Sequence, residues 1–276
     1  MKLRRRNKFK HDCEAFGIKF DHPIALAPGL VPDGELYNTF KSYSFVEIGP
    51  LTVKPQGDTG VRKLFSRHKA VRTGLANKGI RNSIAHLQAV KPQTIIAANL
   101  APAYTHHTAE DIVKDVTEGF SLMYDFADMF IIDTFRSNAD GLAPMQSLDI
   151  LSEVMDSILD MRRCYDEAKP ILVRVTPLIS RAILSDVLDY MRLSGIDGVI
   201  AGYDTYCPDF VKEILDMTQR RYPVIACGDI NSPRRAIEML DLGAVLVQAN
   251  ASVSWILNYI EKTVDGSITI DNTLID

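Results

Sequence analysis

The sequence predicts a single α/β domain folded as a parallel (β/α)8 barrel, or TIM barrel, and three observations support this fold class. The chain has 276 residues, slightly more than the roughly 250 of a typical barrel domain. Eight short apolar runs occur along it, most of them separated by segments with helical periodicity. This alternation continues without a linker, an internal repeat or a change of composition, which favours a closed barrel.

The eight runs are interpreted as the barrel strands because each is almost continuously apolar. Strands that are covered on both faces, as in parallel sheets, have this pattern, whereas half-exposed strands alternate. Because barrels of this type bind ligands at the carboxyl ends of their strands, we expect the functional site there. The predicted strands are residues 23–27, 45–49, 94–99, 129–133, 171–176, 198–201, 223–227 and 244–248.

Signals for the beginning and end of helices lie between these runs. Ser, Thr and Asp side chains cap free N–H groups at helix beginnings, and glycine ends helices because it tolerates the left-handed conformation. Thr108 opens a variant capping box, and Ser232 precedes a proline at the first helical position. We therefore predict N-caps at Thr108, Ser147 and Ser232, helix ends at Gly195 and Gly243, and a final helix at residues 253–262.

The domain is predicted to span residues 16–265, between a basic N-terminal tail at residues 1–15 and a C-terminal tail at residues 266–276. An open doubly wound sheet is the alternative fold. It would need a glycine-rich phosphate loop after an early strand, and neither GxGxxG nor GxxxxGK[ST] occurs. Residues 50–83 form a long, basic and weakly periodic segment, which is typical of a lid over a barrel site.

Composition and charge exclude several classes of protein. The formal net charge is −4, which gives no sign of nucleic-acid binding. The four cysteines are scattered without a CxxC pair and the histidines form no ligand pattern, so we expect no metal site and a reduced, cytoplasmic setting. No apolar stretch approaches the roughly 20 residues of a membrane span, so no transmembrane segment is predicted.

Several segments resemble one enzyme family in their shared order and spacing, from about residue 16 to residue 260. They are FGIKF at 16–20, APGL at 27–30, FVEIGPLTVKPQG at 45–57, RKLF at 62–65, NADGL at 138–142, ILVRVTP at 171–177, DGVIA at 197–201 and GAVLVQ at 243–248. On these residues the chain resembles the dihydroorotate dehydrogenases. The segments at 45–57 and 62–65 are most similar to the quinone-linked class 2 branch.

The resemblance implies a barrel that carries FMN at its carboxyl-end mouth and oxidises dihydroorotate to orotate, a step of pyrimidine biosynthesis. Class 2 members also have an N-terminal helical hairpin that touches the membrane and admits quinone. Only residues 1–15 precede Phe16, and we expect them to be too few for such a hairpin. Members of the family often pair, so a homodimer and a monomer are both open.

The resemblance places the catalytic base, a serine in class 2 enzymes, in the loop after the fourth strand. The family's Asn-x-Ser-Ser-Pro-Asn corresponds to residues 133–138, so the serine position is Arg136. A guanidinium stays protonated and cannot accept the proton, which leaves the neighbouring Ser137 as a candidate substitute. Asp133 replaces a substrate-binding asparagine, and it would repel an anionic substrate unless Arg136 or Arg174 pairs with it.

At the other positions of the implied site, this chain has either the residue typical of the family or a different one. Asn99 matches a flavin-contacting asparagine, and Arg174 keeps the charge but not the shape of a flavin-contacting lysine. Pro32 replaces a second lysine, and Tyr203 replaces a substrate-reading asparagine. The resemblance implies substrate contacts at Arg72, Asn77, Asp133 and Asn138, and cofactor contacts at Asn99, Arg174, Thr205, Gly228 and Ser252.

The loops after the last two strands bind phosphate in barrels of this kind, through backbone N–H groups. The family's Gly-Gly pair is Gly228-Asp229 here, and its Thr-Gly pair is Ala251-Ser252. An aspartate about 4 Å from a phosphate costs on the order of 4 kcal/mol per charge at an intermediate dielectric. We therefore expect a weaker grip on phosphate than in the family, although Ser252 supplies one donor.

Two hypotheses of different kinds follow. The first is the family reaction, the FMN-dependent oxidation of dihydroorotate. The second is a flavin-free binding or regulatory barrel, a pseudoenzyme, in which Arg72, Arg136 and Arg174 hold a small anionic molecule by bidentate contacts. Those arginines would instead form a closed ion network if they pair with the aspartates Asp133, Asp204 and Asp229. A different enzyme on the same scaffold is a third reading, for which the sequence names no reaction.

Overall fold

Eight parallel strands in a nearly closed sheet confirm the predicted (β/α)8 barrel. The computed structural model describes residues 13–57, 76–106, 108–134 and 143–264. From the second barrel strand to the eighth, each strand pairs in parallel with the next, and the eighth pairs with the first. The first and second barrel strands are not paired, and a hydrogen bond from Ser44 N to Ile24 O (2.9 Å) connects them. A hairpin, β1 (Cys13–Ala15) and β2 (Ile18–Phe20), precedes the barrel strands β3 (Ile24–Leu26), β4 (Phe45–Leu51), β5 (Ile95–Leu100), β6 (Met129–Asp133), β7 (Ile171–Val175), β8 (Gly198–Ala201), β9 (Val224–Ile230) and β10 (Leu246–Ala249).

Helices cover the outside of the sheet, and most of the predicted caps are present. Thr108 and Ser232 accept hydrogen bonds from backbone N–H groups three residues ahead, and Gly195 and Gly243 end helices at positive φ. Ser147 precedes a helix as predicted but makes no side-chain cap bond, so that detail was wrong. The helices are α1 (Ile80–Ala89), α2 (Ala109–Met123), α3 (Leu148–Arg162), α4 (Arg181–Ser194), α5 (Pro208–Met217), α6 (Pro233–Leu242) and α7 (Val253–Val264).

The predicted strand positions are confirmed, with small shifts at their ends. β6 and β8 have the predicted bounds, whereas β9 continues three residues beyond its prediction. The predicted lid at residues 50–83 lies partly outside the described residues, and its described part ends within α1. Gln56 and Asn77 exchange two backbone hydrogen bonds of 2.8 and 3.0 Å, so the described ends of this segment lie side by side. Within the described ranges, no helix is long and apolar enough to cross a membrane.

The barrel interior is divided into an apolar lower part and a polar upper layer. Side chains two residues apart on a strand face the same side of a sheet. The interior residues nearer the amino ends are apolar and buried: Ala25, Phe45, Ala97, Met129, Ile131, Leu172, Ile200, Ile225 and Leu246. Two residues further along five of these strands, the interior residues are polar and equally buried: Glu47, Asn99, Asp133, Arg174 and Gln248.

The β1–β2 hairpin closes the amino end of the barrel and was not predicted. Its residues Ala15 and Phe20 are buried and pack with the interior residue Phe45. A side chain at Gly198 would overlap the Phe16 ring, so the hairpin lies directly against β8. The predicted tail at residues 1–15 therefore overlaps the folded unit at Cys13–Ala15, and residues 1–12 lie outside the described part of the chain.

His22 lies between this hairpin and β3 and forms a hydrogen bond through each ring nitrogen. Its Nδ1 accepts from Ile24 N at 3.2 Å, so Nε2 carries the proton and donates to Ser42 O at 2.9 Å. Burial lowers the pKa of His22 below its ordinary value of 6.5, against the smaller raising effects of Ser42 and Asp21. The folded protein therefore favours the neutral imidazole, whereas the unfolded chain takes up the proton first as the pH falls.

We predict that the free energy of unfolding decreases as the pH falls below about 6.5, and that His22→Gln makes this decrease shallower. At pH 8 the variant is less stable by about 1 kcal/mol, because it loses a hydrogen bond. Urea unfolding between pH 8 and pH 5 measures both effects. An unchanged slope in the variant would show that His22 does not cause the pH dependence.

Candidate active site at the carboxyl ends of the strands

The interior polar cluster, defined as Glu47, Asn99, Asp133, Arg174 and Gln248, lies where the barrel strands approach their carboxyl ends. Each residue is fully buried and comes from a different strand. The strand registers bring them together: Asp133 lies opposite Arg174, and Gln248 lies opposite the interior residue Cys227. The cluster therefore forms a polar surface between the apolar core and the mouth.

Glu47 is the centre of the interior polar cluster because its carboxylate accepts four hydrogen bonds. Oε1 accepts from Asn99 Nδ2 at 2.7 Å and from Arg174 Nη1 at 2.8 Å. Oε2 accepts from Arg174 Nη2 at 2.6 Å and from Gln248 Nε2 at 2.6 Å. An ionised carboxylate has about four acceptor sites, so all of them are used.

Arg174 forms a bidentate pair with Glu47 and also contacts Gln248 and Asp133. Nη2 donates to Gln248 Oε1 at 3.0 Å, and Nη1 lies 3.6 Å from Asp133 Oδ2. Burial acts to lower the pKa of Arg174, but the charge and hydrogen bonds of Glu47, with the charge of Asp133, outweigh it and raise the pKa. The two Nη atoms that were expected to hold an anionic ligand are thus occupied by the protein itself.

Two buried polar atoms of the cluster have no hydrogen-bond partner among the described residues. They are Asn99 Oδ1, an acceptor, and Arg174 Nε, a donor. Both side chains also bond to Glu47 Oε1, so the two atoms belong to neighbouring groups. Buried polar atoms are normally paired, and unpaired ones mark a place where a water or a ligand is expected.

The described cluster has a formal charge of −1, because one guanidinium lies among two carboxylates. Burial raises the pKa of the Cys227 thiol to about 12, so this neighbour stays neutral and does not change the balance. The ring of Tyr203, from the loop after β8, lies 5.6 Å from the Arg174 guanidinium. The described part of the interior polar cluster therefore carries an excess of negative charge, and its residues alone do not attract an anion.

The predicted substrate residues fall into two groups. Arg72, Arg136, Ser137 and Asn138 lie outside the described residues, so the base position and its candidate substitute stay predictions. Asn77 is buried, and its Oδ1 accepts from Thr52 Oγ1 and from Gly79 N, both at 2.9 Å. This oxygen therefore orders the backbone before α1. Its predicted role towards a substrate stays a prediction.

Three further predicted cofactor residues are Thr205 in the loop after β8, Gly228 within β9 and Ser252 in the loop after β10. Thr205 and Ser252 are exposed, and Ser252 Oγ lies 2.9 Å from Ser254 Oγ. Gly228 has a φ of 117°, and a side chain there would overlap the carbonyl oxygen of Thr205. The β9 backbone and the β8 loop therefore pack in direct contact, which gives Gly228 a structural role of its own.

Asp229, which was expected to repel phosphate, is paired within the protein. Its Oδ2 accepts from Arg235 Nη1 at 2.9 Å, and its Oδ1 accepts from Asn231 Nδ2 at 3.2 Å. The guanidinium of Arg235 also lies 4.4 Å from the ring of Tyr206 and belongs to the first turn of α6. The negative charge is thus balanced locally, and the expected penalty for a bound phosphate is smaller than the sequence indicated.

Glu47 and Gln248 were missed as site residues, although both lie in segments that carried the resemblance. Each is a single polar residue within an apolar strand: Glu47 lies between Val46 and Ile48, and Gln248 lies between Val247 and Ala249. A strand covered on both faces has no solvent for such a side chain, so a polar residue there needs an interior partner. That signal was available from the sequence, but it does not identify the partner.

The fold and the polar cluster define a class of protein: a (β/α)8 barrel with a layer of buried charged and polar side chains at the carboxyl ends of its strands. Comparison with known proteins then gives the family. The family model for dihydroorotate dehydrogenase matches residues 11–207, more than half of the chain. The chain therefore belongs to the dihydroorotate dehydrogenase family.

Individual relatives agree with this assignment. The chain is 26% identical over 265 residues to the dihydroorotate dehydrogenase (quinone) of Christiangramia forsetii, covering 85% of this chain and 77% of the relative. It is also 26% identical over 270 residues to that of Shewanella woodyi, covering 85% and 79%. The ligand-free DHODH structure from Eimeria tenella has the same fold, with a TM-score of 0.80 at 18% identity over 95% of this chain and 90% of that one.

We predict that Gly228→Ala destabilises the protein by about 3 kcal/mol or more, because it adds an overlap with Thr205 to the strain of a positive φ. The matched control is Gly29→Ala, where φ is also positive, at 78°, but the space is open. The control is expected to cost only about 1–2 kcal/mol. Urea unfolding of both variants measures the difference, and equal losses would contradict the contact described here.

Proposed function

We propose that the chain catalyses the family reaction, the FMN-dependent oxidation of dihydroorotate to orotate. One observation carries the proposal beyond family membership: the buried atoms Asn99 Oδ1 and Arg174 Nε have no hydrogen-bond partner in the described part of the chain. They belong to the two interior residues for which the resemblance implies flavin contacts. A ligand ring with a donor beside an acceptor would satisfy both atoms.

The residues at the mouth fit FMN in their chemistry. Asn99 and Arg174 would bind the ring through Oδ1 and Nε–H, and the exposed hydroxyls of Thr205 and Ser252 would bind the phosphate. Asp229 does not oppose this, since Arg235 balances its charge. When bound, FMN would supply the acceptor for the hydride that dihydroorotate loses.

The accompanying proton needs an acceptor from this chain. Arg136 is excluded from that role by its permanent positive charge, so we assign the role to Ser137 Oγ. Arg72, Asn77 and Asn138 are proposed to bind substrate. Asp133 is proposed to orient it, because Arg174 lies 3.6 Å from the aspartate and reduces its repulsion.

A second candidate function is a flavin-free binding barrel that holds a small anionic molecule. It is favoured by Arg136 in the base position and by the Arg174–Glu47 pair, which occupies the Nη atoms of Arg174 within the protein. In that case the anion would be bound by Arg72 and Arg136 alone. A cytoplasmic location and a homodimer belong to both candidates as predictions.

Visible absorption of the purified protein separates the two candidates. The first predicts a yellow protein, or one that becomes yellow after incubation with FMN and desalting, and loses its colour on anaerobic mixing with dihydroorotate. Protein that retains no FMN would contradict it and leave the flavin-free barrel. Ser137→Ala is expected to slow the bleaching by at least roughly 100-fold, whereas Ser157→Ala on the surface of α3 is the control and leaves it unchanged.

We also predict that Arg235→Ala weakens FMN binding roughly three- to tenfold, because it exposes the charge of Asp229 to the phosphate. The double variant Arg235→Ala with Asp229→Gly should restore the affinity. Arg192→Ala on α4 removes the same charge from an exposed pair and serves as the control. Fluorescence titration with FMN measures all four proteins, and no rescue by the double variant would refute charge balance as the cause.

A further inference from the structure

Glu47 controls which face of the Asn99 amide is turned away from the cluster. Nδ2 of Asn99 donates to Glu47 at 2.7 Å and lies 3.4 Å from Asp133 Oδ2, so two carboxylates lie on the same side of the amide. A carboxylate accepts hydrogen bonds and repels another acceptor, so the amide cannot turn its oxygen towards them. Oδ1 is therefore held on the opposite side.

Glu47 also determines which donor of Arg174 is left over. A guanidinium has five N–H groups in a fixed plane. The two Nη atoms face Glu47, Gln248 and Asp133, at distances between 2.6 and 3.6 Å. The remaining donor is Nε–H, and it has no partner among the described residues. The bidentate contact fixes the plane of the guanidinium and therefore the direction of this bond.

We propose that Glu47 is a positioning residue of this site: it holds Asn99 and Arg174 so that, among the described residues, one acceptor and one donor remain for a ligand. The ligand class that matches is a planar, uncharged N–H group next to a C=O group, as in an imide. This proposal deepens the proposed function and rests on it for the identity of the ligand. The arrangement of Asn99 and Arg174 in the free protein does not depend on that function.

Charge supports an uncharged edge rather than an anionic one. The described cluster carries a formal −1 in a fully buried place, where charges are poorly screened. A carboxylate or phosphate placed against Asn99 and Arg174 would be repelled by this excess of negative charge. An imide edge adds no charge and satisfies both unpartnered atoms. The negative layer would also oppose the gain of negative charge by a bound flavin.

The Arg174 Nε–H proton reports the position of the guanidinium directly in the free protein. Nitrogen-15 NMR of arginine side chains detects Nε–H protons that exchange slowly with water, and Arg174→Lys identifies the signal by its loss. Glu47→Gln keeps the shape of the side chain and removes its charge. We expect exchange of this proton to become at least roughly tenfold faster in Glu47→Gln, because the clamp is lost. Exchange as slow as in the wild type would overturn the proposal.

A charge-swapped variant covers the case in which Glu47→Gln does not fold. Glu47→Gln with Gln248→Glu keeps the formal charge of the cluster and returns a carboxylate to Arg174, but removes the carboxylate at 2.7 Å from Asn99 Nδ2 and leaves the more distant Asp133, at 3.4 Å. We expect fast Nε–H exchange in this variant as well. Slow exchange would overturn the proposal, because a carboxylate at either position would then be sufficient.

Flavin-dependent measurements separate this proposal from the proposed function. In the wild type, FMN is expected to shift the Arg174 Nε–H signal, and a lack of shift would refute the flavin contact but not the positioning by Glu47. With FMN bound, Glu47→Gln is expected to raise the flavin reduction potential, because the layer loses a negative charge. The charge-swapped variant should stay close to the wild type. A lower potential in Glu47→Gln would contradict the assigned charge.

Discussion

The buried ion pair between Glu47 and Arg174 is the interaction on which the rest of the barrel mouth depends. The two side chains have no exposed surface and are separated by 127 residues in the chain. Taking such charges out of water costs several kcal/mol each, which their attraction offsets only with good geometry and further hydrogen bonds, such as those from Asn99 and Gln248 to Glu47. β4 and β7 therefore need registers that point both residues inwards, because a shift by one residue would turn them towards the helices. The pair thus links the closure of the barrel to the chemistry of its mouth.

The barrel itself could be predicted because its signal is local. Each strand is covered on both faces and is therefore apolar throughout, as in β6, where the predicted and observed bounds agree. The β1–β2 hairpin was missed because its strands have three residues each, too few for a period to be recognised. Ser147 occupies the cap position without making the cap bond, because residue type indicates a cap only when the side chain also turns towards the helix.

The site could be predicted only in part, because its pairings are not local. Asn99, Asp133 and Arg174 were identified through the resemblance to the family, and the structure brings all three together. Their common partner Glu47 was not identified, since a lone glutamate in an apolar strand does not specify which distant strand faces it. The consequence is physical: Arg174 was expected to hold an anion, whereas its Nη atoms are bound within the protein.

Changes at the mouth have to be judged by the partners that each charge has in three dimensions. Asp229 was predicted to replace a glycine of the family, but Arg235 on the first turn of α6 balances its charge. Arg174 was predicted to replace a lysine of the family, but its planar group fits the carboxylate of Glu47 in a way that a lysine ammonium would not. Both departures thus come with a compensating residue and do not argue against a bound cofactor. Of the departures predicted from the sequence, the one at the base position, Arg136, therefore bears most directly on the family reaction, because a guanidinium cannot accept the proton.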